Sequence, residues 1–457
     1  MKEKKASFSG KIGFIMAAAG SAVGVGNLWR FPYLAAKYGG GIFILVYILL
    51  AVTFGFSLML MEIAIGRKTK SSCMSAYKKL NQKFAFLGPL SALVPILILP
   101  FYCVIGGWVL KYLFEYILGH GVALTNDAYF TNLITVQNGS LLENPLTWFF
   151  IFIIITTIIV MFGVQKGVES VSKVMMPVLI VISVVIAIYS LTIPGAIDGV
   201  KYYLIPDFSK FSISTILGAC GQMFFSMSLA MGIMITYGSY VNDEDDLEKS
   251  VSQIELIDTG VALLAGLMII PPFVAFNGGN VAGIEAGPGL MFEVLPKVFD
   301  FMPFGGIVGL LFFILVFFAT ITSSISLLET CQDIIADQFK ISRKLAIAII
   351  FIFSCVLGTL CCLGYGPLDF IKFFGFAALD FFDVLTNSVL MPIVALISCI
   401  FVGHVLGLDA ISEEVEKNGH KFGRKKLVYI MIKYIAPILL AGILIAELLK
   451  NLGIFVI

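Results

Sequence analysis

Charged side chains are scarce in this sequence. Asp, Glu, Lys and Arg make up only 13% of its 457 residues, and the mean hydropathy is +1.00. A soluble globular domain carries about 25% charged residues, so this composition excludes an ordinary soluble fold and indicates a polytopic protein of the lipid bilayer. The charges balance to +1 and form no basic stripe, so we expect no nucleic-acid partner.

Catalytic and metal-binding patterns are also missing. The histidines His120, His404 and His420 lie at span ends or in loops, away from any nucleophile or carboxylate pair. The eight cysteines form no CxxC pair and lie mostly in apolar runs, which is typical of small core residues. We therefore expect that this protein is not an enzyme.

Long apolar runs fill the chain instead. A window of about 19 residues predicts eleven transmembrane helices, hence an all-α polytopic membrane protein with one transmembrane domain over residues 1–457. The predicted spans are 11–37, 41–66, 85–118, 146–163, 170–193, 212–240, 256–276, 303–335, 342–363, 378–403 and 427–456.

Lys and Arg predict the orientation in the plasma membrane. The 67–83 loop carries six of them and the 404–426 loop five, whereas 119–145 has none and 277–302 has one. By the positive-inside rule the N-terminus is cytoplasmic and the C-terminus lies outside. The acidic run at 243–248 falls on the inner side, and we interpret it as a solvated loop rather than an interaction motif.

The first span is interrupted. Residues 20–32 read GSAVGVGNLWRFP, with three glycines followed by Asn27 and Arg30. Glycines alone equally fit close helix packing, but a polar or charged group within a span is costly and indicates function. Unwound backbone is tolerated in hydrocarbon only where it is buried or lines a cavity. We therefore expect a broken helix and a binding site here.

The sixth span, at 218–240, repeats this pattern with Gly218, Gly221 and Gly232 and with Ser226 and Ser228 among apolar residues. Interruptions at matching positions predict two inverted five-helix repeats, at about 8–193 and 211–404, with broken helices 1 and 6 and an extra helix at about 427–456. Half-helix N-termini suit a carboxylate, and released carbonyl groups suit a small cation.

Further polar groups occur in the seventh and eighth spans. Thr322 and Ser323 are adjacent hydroxyls one turn after Ala319. Such hydroxyls usually bond back to a helix carbonyl, but beside a loosened helix they supply the oxygen ligands that suit Na⁺. Asp258 places a negative charge at membrane depth and needs a cation or proton as partner.

Motifs along nearly the whole chain resemble those of the neurotransmitter:sodium symporter family, in its short bacterial amino-acid transporter form. The motifs are AVGVGNLWRFP, GGG at 39–41, PFYCVIGGW, GQMFFSMSL, ITSSIS, SRK at 342–344 and KYIAP at 433–437. The resemblance implies Na⁺-driven uptake of a substrate by alternating access, with two sodium sites beside the substrate.

The resemblance also implies ligand sets. The first sodium ion would be bound by Ala22, Asn27, Ser226, Asp258 and the substrate carboxylate. The second would be bound by Gly20, Val23, Ala319, Thr322 and Ser323. The substrate would contact Ala22, Gly24, Gly26, Ile98, Tyr102, Phe225, Ser226, Ser228, Met231, Ser323 and Leu327.

The pocket lining and three single positions bear on the expected substrate and on the dependence on chloride. The lining is apolar, which favours a hydrophobic or aromatic amino acid. Gly24 stands where monoamine members carry an aspartate, and this favours a substrate with its own carboxylate. Asp258 falls where many relatives have asparagine, which suggests chloride independence, and Ala230 replaces a frequent glycine.

The gates follow from the same resemblance. Arg30 and Asp383 match the outer ion pair, and Lys5 and Asp337 match the inner one, with Lys5 replacing the usual arginine. Two other functions stay open, namely a substrate-gated cation channel and a sodium symporter of another small zwitterionic solute. A channel usually assembles its filter symmetrically, and no pore-loop repeat occurs here. A homodimer also stays open.

Overall fold

Helices form the architecture of the described chain. The computed structural model describes residues 7–137, 140–281, 283–284 and 287–451, and no β-strand forms within these ranges. We number the main helices as α1 (Lys11–Ala22), α2 (Gly26–Lys37), α3 (Gly41–Thr69), α4 (Gln82–Ile117), α5 (Pro145–Met161), α6 (Val164–Ser190), α7 (Ile213–Ser226), α8 (Ile233–Tyr240), α9 (Leu247–Phe276), α10 (Gly305–Phe339), α11 (Arg343–Leu363), α12 (Ala378–Leu406) and α13 (Lys425–Leu449). Shorter helices connect them at Cys73–Leu80, Tyr129–Ile134, Ala196–Leu204, Leu295–Phe301 and Asp409–Val415.

Each predicted span coincides with one or two of these helices. Among the described residues, eight helices are long and apolar enough to cross a membrane, and the bent pair α1 and α2 raises the number to nine. The helices α5 and α7 are apolar but shorter. α7 is short because residues 227–232 separate it from α8. The all-helical membrane fold is confirmed, and the count of eleven spans stays a prediction.

The first helix is broken where the sequence predicts it. α1 ends at Ala22, α2 begins at Gly26, and the two helices are bent by 53°. Val23 is extended, with φ −73° and ψ 104°, and its N–H donates the last α1 hydrogen bond to the Ala19 carbonyl. The break leaves the final carbonyl groups of α1 without helical donors, so they are available to other partners.

The second break lies at residues 227–232, which we call the unwound segment. Ser228, Ala230 and Gly232 all have left-handed backbone, with φ of 53°, 58° and 71°. Residues other than glycine adopt this conformation at a cost of about 1 to 2 kcal/mol each, so surrounding contacts must hold it. One such contact is the hydrogen bond that the Ala230 N–H donates to Glu62 Oε1 at 2.8 Å.

Long helices surround the two breaks. α1 packs against α6, α9 and α10, and α10 packs along α4. Asn27 and Asp258 are completely buried between these helices. The outer faces of α5 and α6 instead expose apolar side chains such as Ile158 and Val181, as lipid contact requires. The polar residues of both breaks therefore face the protein interior.

Candidate functional site

One cavity lies between the two helix breaks and has a volume of about 40 Å³. It brings together all eleven residues that the sequence resemblance assigns to the substrate. Ser21, Val25 and Ile233 also line it and have no role in the predicted site. The lining consists of Ser21, Ala22, Gly24, Val25, Gly26, Asn27, Ile98, Tyr102, Phe225, Ser226, Ser228, Met231, Ile233, Ser323 and Leu327.

The end of this cavity next to Gly24, which we call the upper end, carries a hydroxyl group without a hydrogen-bond partner in the described chain. Tyr102 Oη is buried and has no hydrogen-bond partner within the described chain. A Cβ atom built on Gly24 would lie 3.1 Å from Tyr102 Oη and 3.1 Å from Ser323 Oγ, so only glycine keeps this space open. A buried hydroxyl without a partner is rare in folded proteins and is suited to a ligand acceptor.

A first cluster of oxygen atoms surrounds Asp258. Its Oδ1 accepts hydrogen bonds from Asn27 Nδ2 at 2.8 Å and Ser226 Oγ at 2.9 Å. Asn27 Oδ1 accepts from the Gly24 N–H at 3.0 Å, which ties the cluster to the first break. None of the ion pairs in the described ranges includes Asp258. One negative charge among neutral oxygen atoms fits a monovalent hard cation.

A second oxygen cluster joins α10 to the end of α1. Ser323 Oγ lies 3.4 Å from the Gly20 carbonyl oxygen and 3.3 Å from that of Val23. Thr322 Oγ1 lies 3.2 Å from the Ala319 carbonyl oxygen. The Ser323 hydroxyl can donate only one hydrogen, so at least one of these carbonyl groups keeps a free lone pair. The donor set fits Na⁺, and it contains all five residues predicted for the second ion.

Ser21 connects the two breaks, and sequence reasoning missed it. Its carbonyl oxygen accepts from Ser228 Oγ at 2.9 Å, and its own hydroxyl donates to Ser228 Oγ at 3.3 Å. The two residues are 207 positions apart, so no local pattern indicates the contact. This pair joins the end of α1 to the unwound segment.

The predicted outer ion pair is not formed in this structure. Among the described residues, no ion pair joins Arg30 to Asp383, although both line a larger cavity above the first one. The Arg30 guanidinium lies 5.5 Å from the Phe225 ring centroid, and Asp383 accepts a hydrogen bond from Asn387 Nδ2 at 2.6 Å. Each side chain therefore contacts another residue in this structure.

The inner ion pair can be followed on one side only, because Lys5 lies outside the described residues. Asp337 accepts a hydrogen bond from Ser72 Oγ at 2.7 Å and pairs with Lys340 at 3.3 Å. On the same helix, α10, the completely buried Glu329 pairs with Arg343. This second pair was not part of the predicted gates.

The acidic run at 243–248 is partly exposed, as expected of a solvated loop, and it also makes ion pairs and hydrogen bonds within the chain. Asp243 pairs with Lys70 at 3.1 Å and with Lys417 at 3.0 Å. Glu248 accepts hydrogen bonds from the N–H groups of Gly423 and Arg424 at 2.7 and 2.9 Å. We call this set of contacts the inner clasp. The hydrogen bond from Lys417 holds the pKa of Asp243 below its ordinary value.

A buried arginine reinforces the inner clasp. Arg67 is 1% exposed, and its Nε pairs with Glu414 Oε1 at 2.8 Å. It also donates to the Asp245 carbonyl oxygen at 2.7 Å. The end of α3 is thereby joined both to the 241–246 loop and to the short helix Asp409–Val415. The charge pattern of the sequence places these loops on one side but does not pair them.

Comparisons with known proteins agree with this geometry. A model of the sodium:neurotransmitter symporter family matches residues 5–120 and 123–453. A sodium-dependent transporter of Bacillus subtilis, YhdH, is 34% identical over 444 residues, with 96% of each chain covered. The sodium- and chloride-dependent taurine transporter of Rattus norvegicus is 27% identical over 468 residues, covering 90% of this chain and 73% of the relative.

A solved structure has the same fold over almost the full length. The crystal structure of MhsT in complex with L-phenylalanine matches with a TM-score of 0.84 and 35% sequence identity, covering 99% of this chain and 100% of the other. Family model, relatives and fold are concordant. The chain therefore belongs to the sodium:neurotransmitter symporter family and is a sodium-dependent membrane transporter, not an enzyme.

Proposed function

We propose that this transporter takes up a hydrophobic or aromatic amino acid together with Na⁺ by alternating access, and that it does so without chloride. The observation that carries the proposal is the cavity between the two breaks. It combines an unpartnered buried hydroxyl, a neighbouring oxygen cluster with one negative charge, and a largely apolar wall.

The substrate carboxylate would lie at the upper end of the cavity. Tyr102 Oη would donate a hydrogen bond to it, and the start of α2 at Gly26 offers the partial positive charge of a helix N-terminus. Gly24 leaves the space that the carboxylate needs. One carboxylate oxygen would also complete the ligands of the first sodium ion, which explains why substrate and ion would bind together.

The substrate side chain would occupy the apolar part. Ile98, Phe225, Met231 and Leu327 form most of this wall. Such a lining favours an apolar side chain, because burial of apolar surface supplies most of the binding free energy of a pocket. MhsT was crystallised with L-phenylalanine, which supports the aromatic class for this chain as well.

We infer two sodium sites from the two oxygen clusters. Ala22, Asn27, Ser226 and Asp258 would bind the first ion, and the cluster around Thr322 and Ser323 would bind the second. The negative charge of Asp258 would take the place of the negative charge that a chloride ion provides in chloride-dependent members of the family. The taurine transporter named above is described as chloride-dependent, so this carboxylate is the feature that would set the chain apart.

The membrane arrangement completes the proposal. Eleven spans in two inverted repeats, followed by one further helix, would place the N-terminus and the inner clasp in the cytoplasm and the C-terminus outside. The open cavity beneath Arg30 and Asp383 would then face outwards. Closure of that pair over a bound substrate would be the first step of alternating access.

The decisive experiment is uptake into sealed vesicles under an inward Na⁺ gradient, with a panel of labelled amino acids and with taurine as a zwitterion lacking a carboxylate. We expect accumulation of apolar amino acids in Na⁺ and none when K⁺ replaces Na⁺. Equal uptake in both media would reject the coupling. Preference for taurine would favour a symporter of another zwitterion, and a cation conductance that opens with substrate but accumulates none of it would favour a substrate-gated channel.

A further inference from the structure

Glu62 is a buried carboxyl group that belongs to neither oxygen cluster. It lies on α3 and is 3% exposed. Its Oε1 accepts the hydrogen bond from the Ala230 N–H at 2.8 Å, whereas its Oε2 is buried and has no hydrogen-bond partner among the described residues. The transport site described above makes no use of this side chain.

Close helix packing fixes Glu62 beside the unwound segment. A Cβ atom on Gly66 of α3 would lie 1.9 Å from the Ile235 carbonyl oxygen. One on Gly238 of α8 would lie 2.3 Å from the Ile63 carbonyl oxygen. The two helices can approach this closely only because both positions lack a side chain. Glu62, one turn before Gly66, is therefore held against Ala230.

Among the residues that the structure describes, no cationic side chain is paired with this carboxyl group. The ionisable groups that face it are Tyr77 and Cys73 from the helix Cys73–Leu80 and Cys399 from α12, and none of them is cationic. No ion pair within the described ranges includes Glu62. A carboxylate anion with one lone hydrogen bond is very costly in such surroundings. A proton on Oε2 removes the charge and leaves Oε1 free to accept from Ala230.

We propose that Glu62 is a proton-binding site coupled to the sodium sites through the unwound segment. Ser228 binds Ser21 at the first break, and Ala230, two residues later, binds Glu62. When Na⁺ leaves and α1 moves, Ser21 pulls on this segment and the Ala230 N–H is withdrawn. Water then reaches Glu62, which releases its proton to that water and becomes a carboxylate. Binding of Na⁺ reverses these steps and takes the proton back from water.

The test is an infrared difference spectrum of the purified protein in lipid, recorded in Na⁺ and then in K⁺ at neutral pH. It needs no transported substrate, so it is independent of the proposed amino-acid class. We expect a carboxylic-acid C=O band in Na⁺ that is replaced by carboxylate bands in K⁺. E62Q should lose this exchange, since glutamine keeps the acceptor for Ala230 but cannot titrate. E62D should shift the band instead of removing it.

Glu329 provides the matched control, because it is equally buried but is paired with Arg343. E329Q should keep the exchange. A pH indicator in weak buffer supplies a second readout, in which Na⁺ should cause uptake of about one proton per wild-type chain and none by E62Q. The proposal is overturned if the exchange between the two bands persists in E62Q, or if the wild-type spectrum does not change between Na⁺ and K⁺. It is also overturned if E62Q and E329Q take up equal numbers of protons. Thermal stabilisation of E62Q by Na⁺ shows that the variant is folded.

Discussion

Replacement of Tyr102 by phenylalanine tests the proposed carboxylate site most directly. The change removes one oxygen atom from the upper end of the cavity. Tyr102 Oη has no partner in the described protein, so Y102F breaks no internal hydrogen bond and should leave the folding stability almost unchanged. The substrate carboxylate would lose a hydrogen bond to a charged group, worth about 1 to 3 kcal/mol. At 1.4 kcal/mol per factor of ten, substrate affinity should fall by about 5- to 150-fold.

The assay is equilibrium binding of labelled L-phenylalanine to purified protein at saturating Na⁺. Y129F is the matched control, because Tyr129 Oη is also buried without a partner but lies outside the cavity. We expect Y129F to bind like the wild type. If Y102F binds within a factor of two of the wild type, or if both variants weaken equally, the hydroxyl does not bind the carboxylate and this reasoning is wrong.

Three further changes address the remaining parts of the site and the inner clasp. D258N removes the buried charge of the first cluster. The apparent Na⁺ affinity, measured as the Na⁺ concentration that supports half-maximal substrate binding, should fall about tenfold or become sensitive to chloride. Titration of Na⁺ in chloride and in gluconate measures both effects. G24A fills the space between Tyr102 and Ser323 and should weaken substrate binding at least tenfold (about 1.4 kcal/mol), whereas G260A, whose Cβ would meet nothing within 4 Å, should not. The lowered pKa of Asp243 means that its ion pairs stabilise the folded protein above the ordinary aspartate range and lose this effect as pH falls through the lowered pKa. D243N should therefore flatten the acid side of a plot of melting temperature against pH.

Each of these results can contradict its premise. Unchanged Na⁺ dependence of D258N in both anions would remove the charge from the first sodium site. Equal binding by G24A and G260A would mean that the cavity is wider at Gly24 than the structure indicates. A D243N curve that overlays the wild-type curve at neutral pH as well as in acid would show that the ion pairs of Asp243 add nothing to stability.

The helix breaks can be predicted from sequence because their cause is local. Glycines and polar side chains inside an apolar run conflict with a continuous membrane helix, and the conflict is visible in a window of a dozen residues. The family resemblance then supplies residues from distant spans, such as Tyr102 and Leu327, and the structure places all of them around one cavity. Their roles as ligands stay predictions.

Other features depend on contacts that no local pattern encodes. Ser21 meets Ser228, and Glu62 meets Ala230, across 207 and 168 positions. Whether Arg30 pairs with Asp383 depends on the conformation of the transporter. One sequence encodes every conformation of the transport cycle, so it does not indicate which one a given structure shows. Polar residues are easy to find in an apolar chain, but their partners follow only from the three-dimensional packing.

The energetics of the inner side indicate which part of it can open. Arg67 is almost fully buried with Glu414, and separating such a pair costs about 3 to 5 kcal/mol because a charge is left without a partner. Within the described residues, the segment just before α1 is held by hydrogen bonds, from the Phe8 N–H to the Tyr240 carbonyl at 3.1 Å and from the Ser9 N–H to Glu169 at 2.8 Å. We therefore expect the start of α1 to leave first while the inner clasp stays closed. We expect that movement to draw Ser228 along through its hydrogen bonds with Ser21, so that the unwound segment moves only after the inner side has begun to open.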